Sequence, residues 1–239
     1  MKYIYGPVKS RRLGLSLGIS LTPYKVCNFD CIYCQLGLTT KKTGKRKEYI
    51  KASDILAELK SWIKNNPLDL KKLDYITFSG MGEPTLNIAL GSLISEIKKI
   101  SAVPVAVITN AALLYDPQVR RDLSEAELIV PSLDAAQTRV FKKIDRPGAG
   151  ISPEKIINGL VSLRKEFSGE IWLEIMLVKG VNDDSRHIKK LKIAVDKINP
   201  DKVQLNSPVR TTSLPGVLPL DKKNLEKIKQ TFGRKAEII

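Results

Sequence analysis

Stretches patterned as strand and as helix alternate six times along this 239-residue chain, and no other feature narrows its fold as much. Residues 13–22 alternate apolar with small or polar side chains, the period of a strand. Residues 53–65 open on Ser53-Asp54 as a capping signal and set Ile55, Leu56, Leu59 and Ile63 on one helical face. A short strand over 74–79 ends in Gly80-Met81-Gly82-Glu83-Pro84, and a helix is expected over 86–100. The largely β-branched run 105–109 reads as a buried parallel strand. A short helix at 117–123 and a strand at 127–133 follow. Residues 141–150, with Pro147, Gly148 and Gly150, read as a loop. Ser152, Pro153 and Glu154 then open a helix that reaches 167. Strand 170–178, helix 184–198, strand 202–206 and a final helix over 221–232 complete the series. No long linker, repeat or low-complexity tract interrupts it. One domain is therefore expected over 1–239, with 1–12 an N-terminal extension and 209–239 a C-terminal segment. Such alternation gives parallel strands joined by right-handed crossovers, an α/β fold that is either doubly wound or a barrel.

The composition excludes some classes. No apolar run approaches the roughly 18 residues that a membrane span needs. The first residues lack the apolar core of a signal peptide, so a cytoplasmic protein is expected. The net charge of +15 has two readings. Lysines and arginines could neutralise the phosphates of an RNA substrate, or a lysine-rich surface could reflect heat adaptation. One run stands out: Lys41-Lys42-Thr43-Gly44-Lys45-Arg46-Lys47 puts five cations shortly after the cysteines. It can grip a phosphate-bearing substrate or be an exposed loop.

All three cysteines, Cys27, Cys31 and Cys34, fall within eight residues. An odd number in one loop argues against a disulfide framework and for metal or redox chemistry in a reducing compartment. A structural zinc site wants four ligands. There is no fourth cysteine, and His187, the one histidine, is far off in sequence and reads as an exposed helix residue. A [4Fe–4S] cluster on three cysteines leaves one iron open to a small molecule. In parallel α/β folds active sites lie at the carboxyl ends of strands, and polar residues stand at all six ends here. The cysteines follow the first strand, Glu83 the second, Asn110 the third, and Ser132 and Asp134 the fourth. Glu174 and Met176 share a face of the fifth, and Gln204 and Asn206 a face of the sixth, with Arg210 just beyond. Trp62 and Trp172 read as packing residues and Lys179 as solvated.

The segment Cys27-Asn28-Phe29-Asp30-Cys31-Ile32-Tyr33-Cys34, with an aromatic before the last cysteine, resembles the signature of the radical S-adenosylmethionine (SAM) superfamily. Gly80-Met81-Gly82-Glu83-Pro84 resembles that superfamily's Gly-Gly-Glu motif, with Met81 where the first of two adjacent glycines usually falls. The resemblance implies a partial (β/α)6 TIM-like barrel of parallel strands. It implies a [4Fe–4S] cluster on Cys27, Cys31 and Cys34, and SAM as the small molecule on its open iron. Tyr33 would pack beside cluster and adenine, and Gly80, Gly82 and Glu83 would hold the methionyl amine. Asn110, Ser132 and Asp134 would be further SAM contacts. An external reductant such as a ferredoxin or flavodoxin is implied, and the product is a 5′-deoxyadenosyl radical that abstracts hydrogen from a substrate. Pro7-Val8-Lys9-Ser10-Arg11-Arg12-Leu13-Gly14 and Val203-Gln204-Leu205-Asn206-Ser207-Pro208-Val209-Arg210 are similar to a prokaryotic wyosine-related group within it. That points to a tRNA base as substrate, with Lys41, Lys42, Arg46, Glu174, Gln204, Asn206 and Arg210 as candidate contacts. A peptide or small metabolite is the alternative substrate, and a metal- and RNA-binding protein without radical chemistry is the alternative class. With all three cysteines on one cluster, none remains for a methyl-relay cysteine or an auxiliary cluster.

Overall fold

The computed structural model describes residues 1–239. Strands β1 (Ile4–Ser10) and β2 (Gly14–Ile19) form an antiparallel hairpin. The short β3 (Val26–Cys27) and β4 (Lys41–Lys42) pair in parallel as a separate ladder. There follow α1 (Ala52–Asn65), α2 (Pro67–Leu70), β5 (Tyr75–Phe78), α3 (Leu90–Ile100), β6 (Val105–Thr109), α4 (Pro117–Leu123) and β7 (Leu128–Pro131). The remainder is α5 (Thr138–Ile144), α6 (Pro153–Glu166), β8 (Glu170–Met176), α7 (Ser185–Ile198), β9 (Lys202–Asn206), α8 (Lys222–Phe232) and β10 (Ala236–Ile238). One sheet runs β1-β2-β5-β6-β7-β8-β9-β10, and from β2 onward every neighbouring pair is parallel.

The two faces of this sheet differ, and that difference selects the barrel. Leu17, Ile19, Ile76, Phe78, Leu173 and Ile175 belong to one large core shared with the helices. The opposite face holds a small cluster, Leu13, Ala106, Leu128, Val130 and Trp172, with Tyr75 and Ile108 packed against it, beside polar residues such as Thr77, Glu174 and Gln204. A doubly wound sheet would need helices there too. Instead the sheet curls until side chains from its first hairpin reach its far strands. At the β1–β2 turn Arg12 reaches Glu174 of β8, with Nε 2.6 Å from Oε2 and Nη2 2.5 Å from Oε1. Arg11 donates to Asn206 Oδ1 and to the Ile239 carbonyl, both at 3.2 Å. The fold is an open parallel barrel with its helices outside. None of those helices is long and apolar enough to cross a membrane.

Several elements depart from the sequence reading. Residues 1–12 are not a bare extension: they carry β1, and Tyr5 lies so close over Gly18 that a Cβ there would sit 2.1 Å from the ring. Helix α1 starts at Ala52 with Lys51 as its cap, and Ser53 caps nothing. The carboxylate of Glu48 receives the Ala52 N–H instead (2.9 Å). The helix expected from 86 starts at Leu90, because buried Asn87 breaks the run. Its amide donates to the Leu21 and Ile50 carbonyls and accepts from Ala89 N–H, ties that no continuous helix could make. Helix α5 extends into the expected loop, since Phe141 and Ile144 are both core residues and Phe141 meets Phe29 edge-on at 5.4 Å. β10 adds a seventh parallel strand.

His187 is fully buried rather than exposed. Asp184 caps α7 through the His187 N–H, and the ring Nδ1 lies 3.1 Å from Gln137 Oε1. With Nδ1–H donating to that amide oxygen, Nε2 is a bare, unpartnered lone pair. Burial therefore holds the ring below its ordinary pKa of 6.5, against the opposing pull of the Asp134 carbonyl and Asp184. The unfolded chain takes the proton first as pH falls, so this contribution to stability is present above 6.5 and is lost below it. Thermal unfolding followed from about pH 7 to about pH 5 should show a smaller loss on acidification in His187→Gln than in the parent protein. Buried Asp134, pushed up to about 6, acts in the opposite sense over part of that range, so the difference between the two proteins is the quantity to read.

Candidate metal and cofactor site

The cysteines sit just past the carboxyl end of β2, on a loop whose shape is fixed by distant segments. Asp30 and Ile32 N–H donate to the Asp145 and Ile144 carbonyls (3.0 and 2.9 Å), and Gly148 N–H donates to the Asn28 carbonyl (2.8 Å). From the other side Ser213 Oγ donates to the Cys31 carbonyl (2.8 Å), and Leu214 N–H to that of Ile32 (3.1 Å). Asp30 accepts from Thr39 N–H (2.7 Å) and pairs with Arg146 (3.0 Å).

All three thiols are free and half-buried. Cys27 Sγ accepts from Phe29 N–H at 3.4 Å and lies 3.5 Å from Asn110 Nδ2. Cys31 donates to Asp145 Oδ1 (3.5 Å), and Lys25 Nζ stands 3.1 Å from Cys34 Sγ. Burial, then the charge of Glu83, pushes the Cys27 thiol up to about 12. Burial and Asp145 drive Cys31 well above the ordinary thiol range. Thiolates here need a positive partner of their own, which a metal centre supplies. The side chains do not form a ready site for a single ion, since no three of the His, Cys, Asp and Glu groups converge. Three soft sulfur donors spread around one loop suit a cluster that brings several irons.

The glycines of the second strand end have a structural task. A Cβ on Gly82 would lie 2.0 Å from the Val26 carbonyl oxygen and 2.5 Å from Thr22 Oγ1. Gly80 has φ +101°, and its Cβ would lie 2.3 Å from Ser20 Oγ. The space they free is filled by the protein itself. Met81 is exposed, and its carbonyl receives Lys25 N–H (2.6 Å). Buried Glu83 is also engaged internally. Its Oε1 accepts from Thr85 N–H, Thr85 Oγ1 and Thr109 Oγ1 (3.0, 2.6 and 2.7 Å), and its Oε2 accepts Asn110 N–H (2.8 Å). Burial raises its pKa while those donors pull it back. One lone pair on Oε2 remains for a ligand ammonium.

Tyr33, Asn110, Ser132 and Asp134 come together around a small cavity that Phe29, Phe141 and Asp145 also line. Tyr33 donates its hydroxyl to Asp134, which also accepts Met176 N–H (2.8 Å). Asp145, which the sequence reading missed, stands between this cavity and Cys31. Its burial and the neighbouring Asp134 hold its carboxyl well above the ordinary range.

The candidate substrate residues divide. Glu174, Gln204 and Asn206 are buried and face the barrel interior, but they are partly spoken for. Glu174 takes Arg12 and the Asn206 amide (2.9 Å), and Gln204 Nε2 donates to Glu237 (2.9 Å), leaving its Oε1 without a partner. Lys41 and Lys42 are exposed beside the loop, Lys42 donating to the Arg146 carbonyl (3.0 Å). Arg210 donates to Gln35 Oε1 (2.7 Å), next to Cys34. Arg46 is a correction: it pairs with Asp122 of α4 and donates to the Thr85 carbonyl (2.9 Å), so it braces the scaffold. Tyr5, Arg11, Arg12 and Lys25 were not anticipated. The Arg-Arg pair beside a turn was the one signal available.

The model of the radical SAM superfamily matches residues 21–191. A UPF0026 protein of Methanocaldococcus jannaschii is 34% identical over 98% of this chain and 72% of its own length. A protein of Brachyspira hyodysenteriae named GTPase Obg is 44% identical over 99% of this chain, which spans only 34% of that relative. Among solved structures, a radical SAM methyltransferase from Sphaerobacter thermophilus superposes with a TM-score of 0.72 at 17% identity, covering 94% of this chain and 65% of that one; at that identity it speaks for the fold alone. Cysteine loop, barrel and family match agree, and the chain belongs to the radical SAM superfamily.

Proposed function

We propose that this protein is a radical SAM enzyme that carries a [4Fe–4S] cluster on Cys27, Cys31 and Cys34 and acts on a base in RNA. The observation that carries the reading is the placing of three free thiols at a strand's carboxyl end, beside the cavity of Tyr33, Asn110, Ser132 and Asp134. Cys27, Cys31 and Cys34 would hold the cluster, which with SAM and one electron from a low-potential donor of ferredoxin or flavodoxin type would supply hydrogen-atom abstraction from substrate. The chain's own residues orient and exclude. Oε2 of Glu83 offers an acceptor for the methionyl ammonium, and Asn110 links it to Cys27. Tyr33 and Asp134, locked together, wall the cavity against water. The +15 charge and the exposed Lys41, Lys42 and Arg210 favour a phosphate-bearing substrate. Three free cysteines fit a reducing, cytoplasmic setting.

Anaerobic reconstitution with iron and sulfide, then dithionite and SAM, should yield 5′-deoxyadenosine, and Cys31→Ala should abolish it. Folded protein that takes up no iron and makes no nucleoside would leave a metal- and RNA-binding protein as the better account. RNA binding should weaken steeply with salt.

A further inference from the structure

Lys25 is buried against the cysteine loop, only 3% exposed, and takes part in none of the protein's ion pairs. Its backbone is pinned from both sides in the left-handed region, φ 54°. The N–H donates to the Met81 carbonyl, and its own carbonyl accepts from Lys41 N–H and Thr40 Oγ1, both at 3.2 Å. The side chain turns inward and puts Nζ 3.1 Å from Cys34 Sγ. Lysine ordinarily snorkels to water, and a buried ammonium without an anion is costly. A neutral thiol does not relieve that cost. A [4Fe–4S] core bound by three thiolates does, because it carries one net negative charge when oxidised and two when reduced.

We propose that Lys25 is a positioning residue that acts through Cys34, holding a fixed positive charge beside the cluster and favouring its reduced form. The proposal rests on the reading above. Attraction grows with the charge on the cluster, so the reduced state gains more than the oxidised state and the midpoint potential rises. A residue that merely shaped the loop would have no reason to move the potential in one direction.

The test uses the full chain, reconstituted anaerobically, with K25M, K25Q and K25R beside the parent. Iron and sulfide content is measured first. The midpoint is then read from the electron paramagnetic resonance of the reduced cluster at stepped potentials. Variants lacking the charge, K25M and K25Q, should shift to more negative potential, K25Q despite keeping a hydrogen-bond donor, while K25R stays near the parent. If K25M holds no iron, K25Q against K25R decides on the same criterion. Equal midpoints in loaded K25Q, K25R and parent overturn this proposal and leave the enzyme reading standing. A parent chain that takes up no iron overturns both.

Discussion

Arg12→Ala should lower the free energy of unfolding by about 3–5 kcal/mol, the usual cost of stripping one partner from a buried ion pair. Glu174 has a side chain only 5% exposed, and its two oxygens receive Nε and Nη2 of Arg12. After the substitution only the Asn206 amide remains to it. The loss is also architectural, because Arg12 ties the β1–β2 turn to β8 across the open side of the barrel. Urea unfolding measures the effect. The combined change Arg12→Met with Glu174→Leu should recover most of it, since neither charge is then left buried alone. A single-variant loss under about 1 kcal/mol would show that water reaches the pair and that the barrel's edges are held by something else.

Gly82→Ala should be nearly as damaging, for a reason unrelated to backbone freedom. Gly82 has no positive φ, yet its Cβ would meet the Val26 carbonyl at 2.0 Å. That neighbour is main chain and cannot swing aside. Overpacking of this kind costs about 1–3 kcal/mol or more, and here the displaced residue adjoins Cys27. Lowered stability and poor iron retention should therefore appear together. Gly37→Ala is the contrast: φ is +81° with open space around the Cβ, so only local strain of about 1–2 kcal/mol is expected. Iron content after reconstitution and unfolding midpoints would separate the two. If Gly82→Ala binds iron as the parent does, the collision is absorbed elsewhere than in the cysteine loop.

The sequence made the parallel strands and the cysteine loop legible because both are local patterns. A period-two run marked β2, a β-branched apolar run marked β6, and three cysteines fell within eight residues. Asn110, Ser132 and Asp134 were singled out by a rule of topology, that strand ends converge, and they line one cavity. What escaped depends on curvature or on partners far along the chain. Arg12 meets Glu174 only because the sheet curls, and Arg46 looked like a substrate cation until Asp122 arrived from α4. β10 is three residues long, too short for a period to show. His187 was readable and was misjudged. It shares a helical stripe with Leu191, Ala194 and Ile198, and residue type was allowed to outweigh position.

The straps on the cysteine loop set an order of events. The hydroxyl that holds the Cys31 carbonyl belongs to a serine 182 positions later. Contacts of such long separation form late, after the intervening chain has paid its closure entropy. Until that strap closes, the three thiols lack their final frame. A ligand that needs the thiols in that frame therefore meets a closed barrel and not an extended loop.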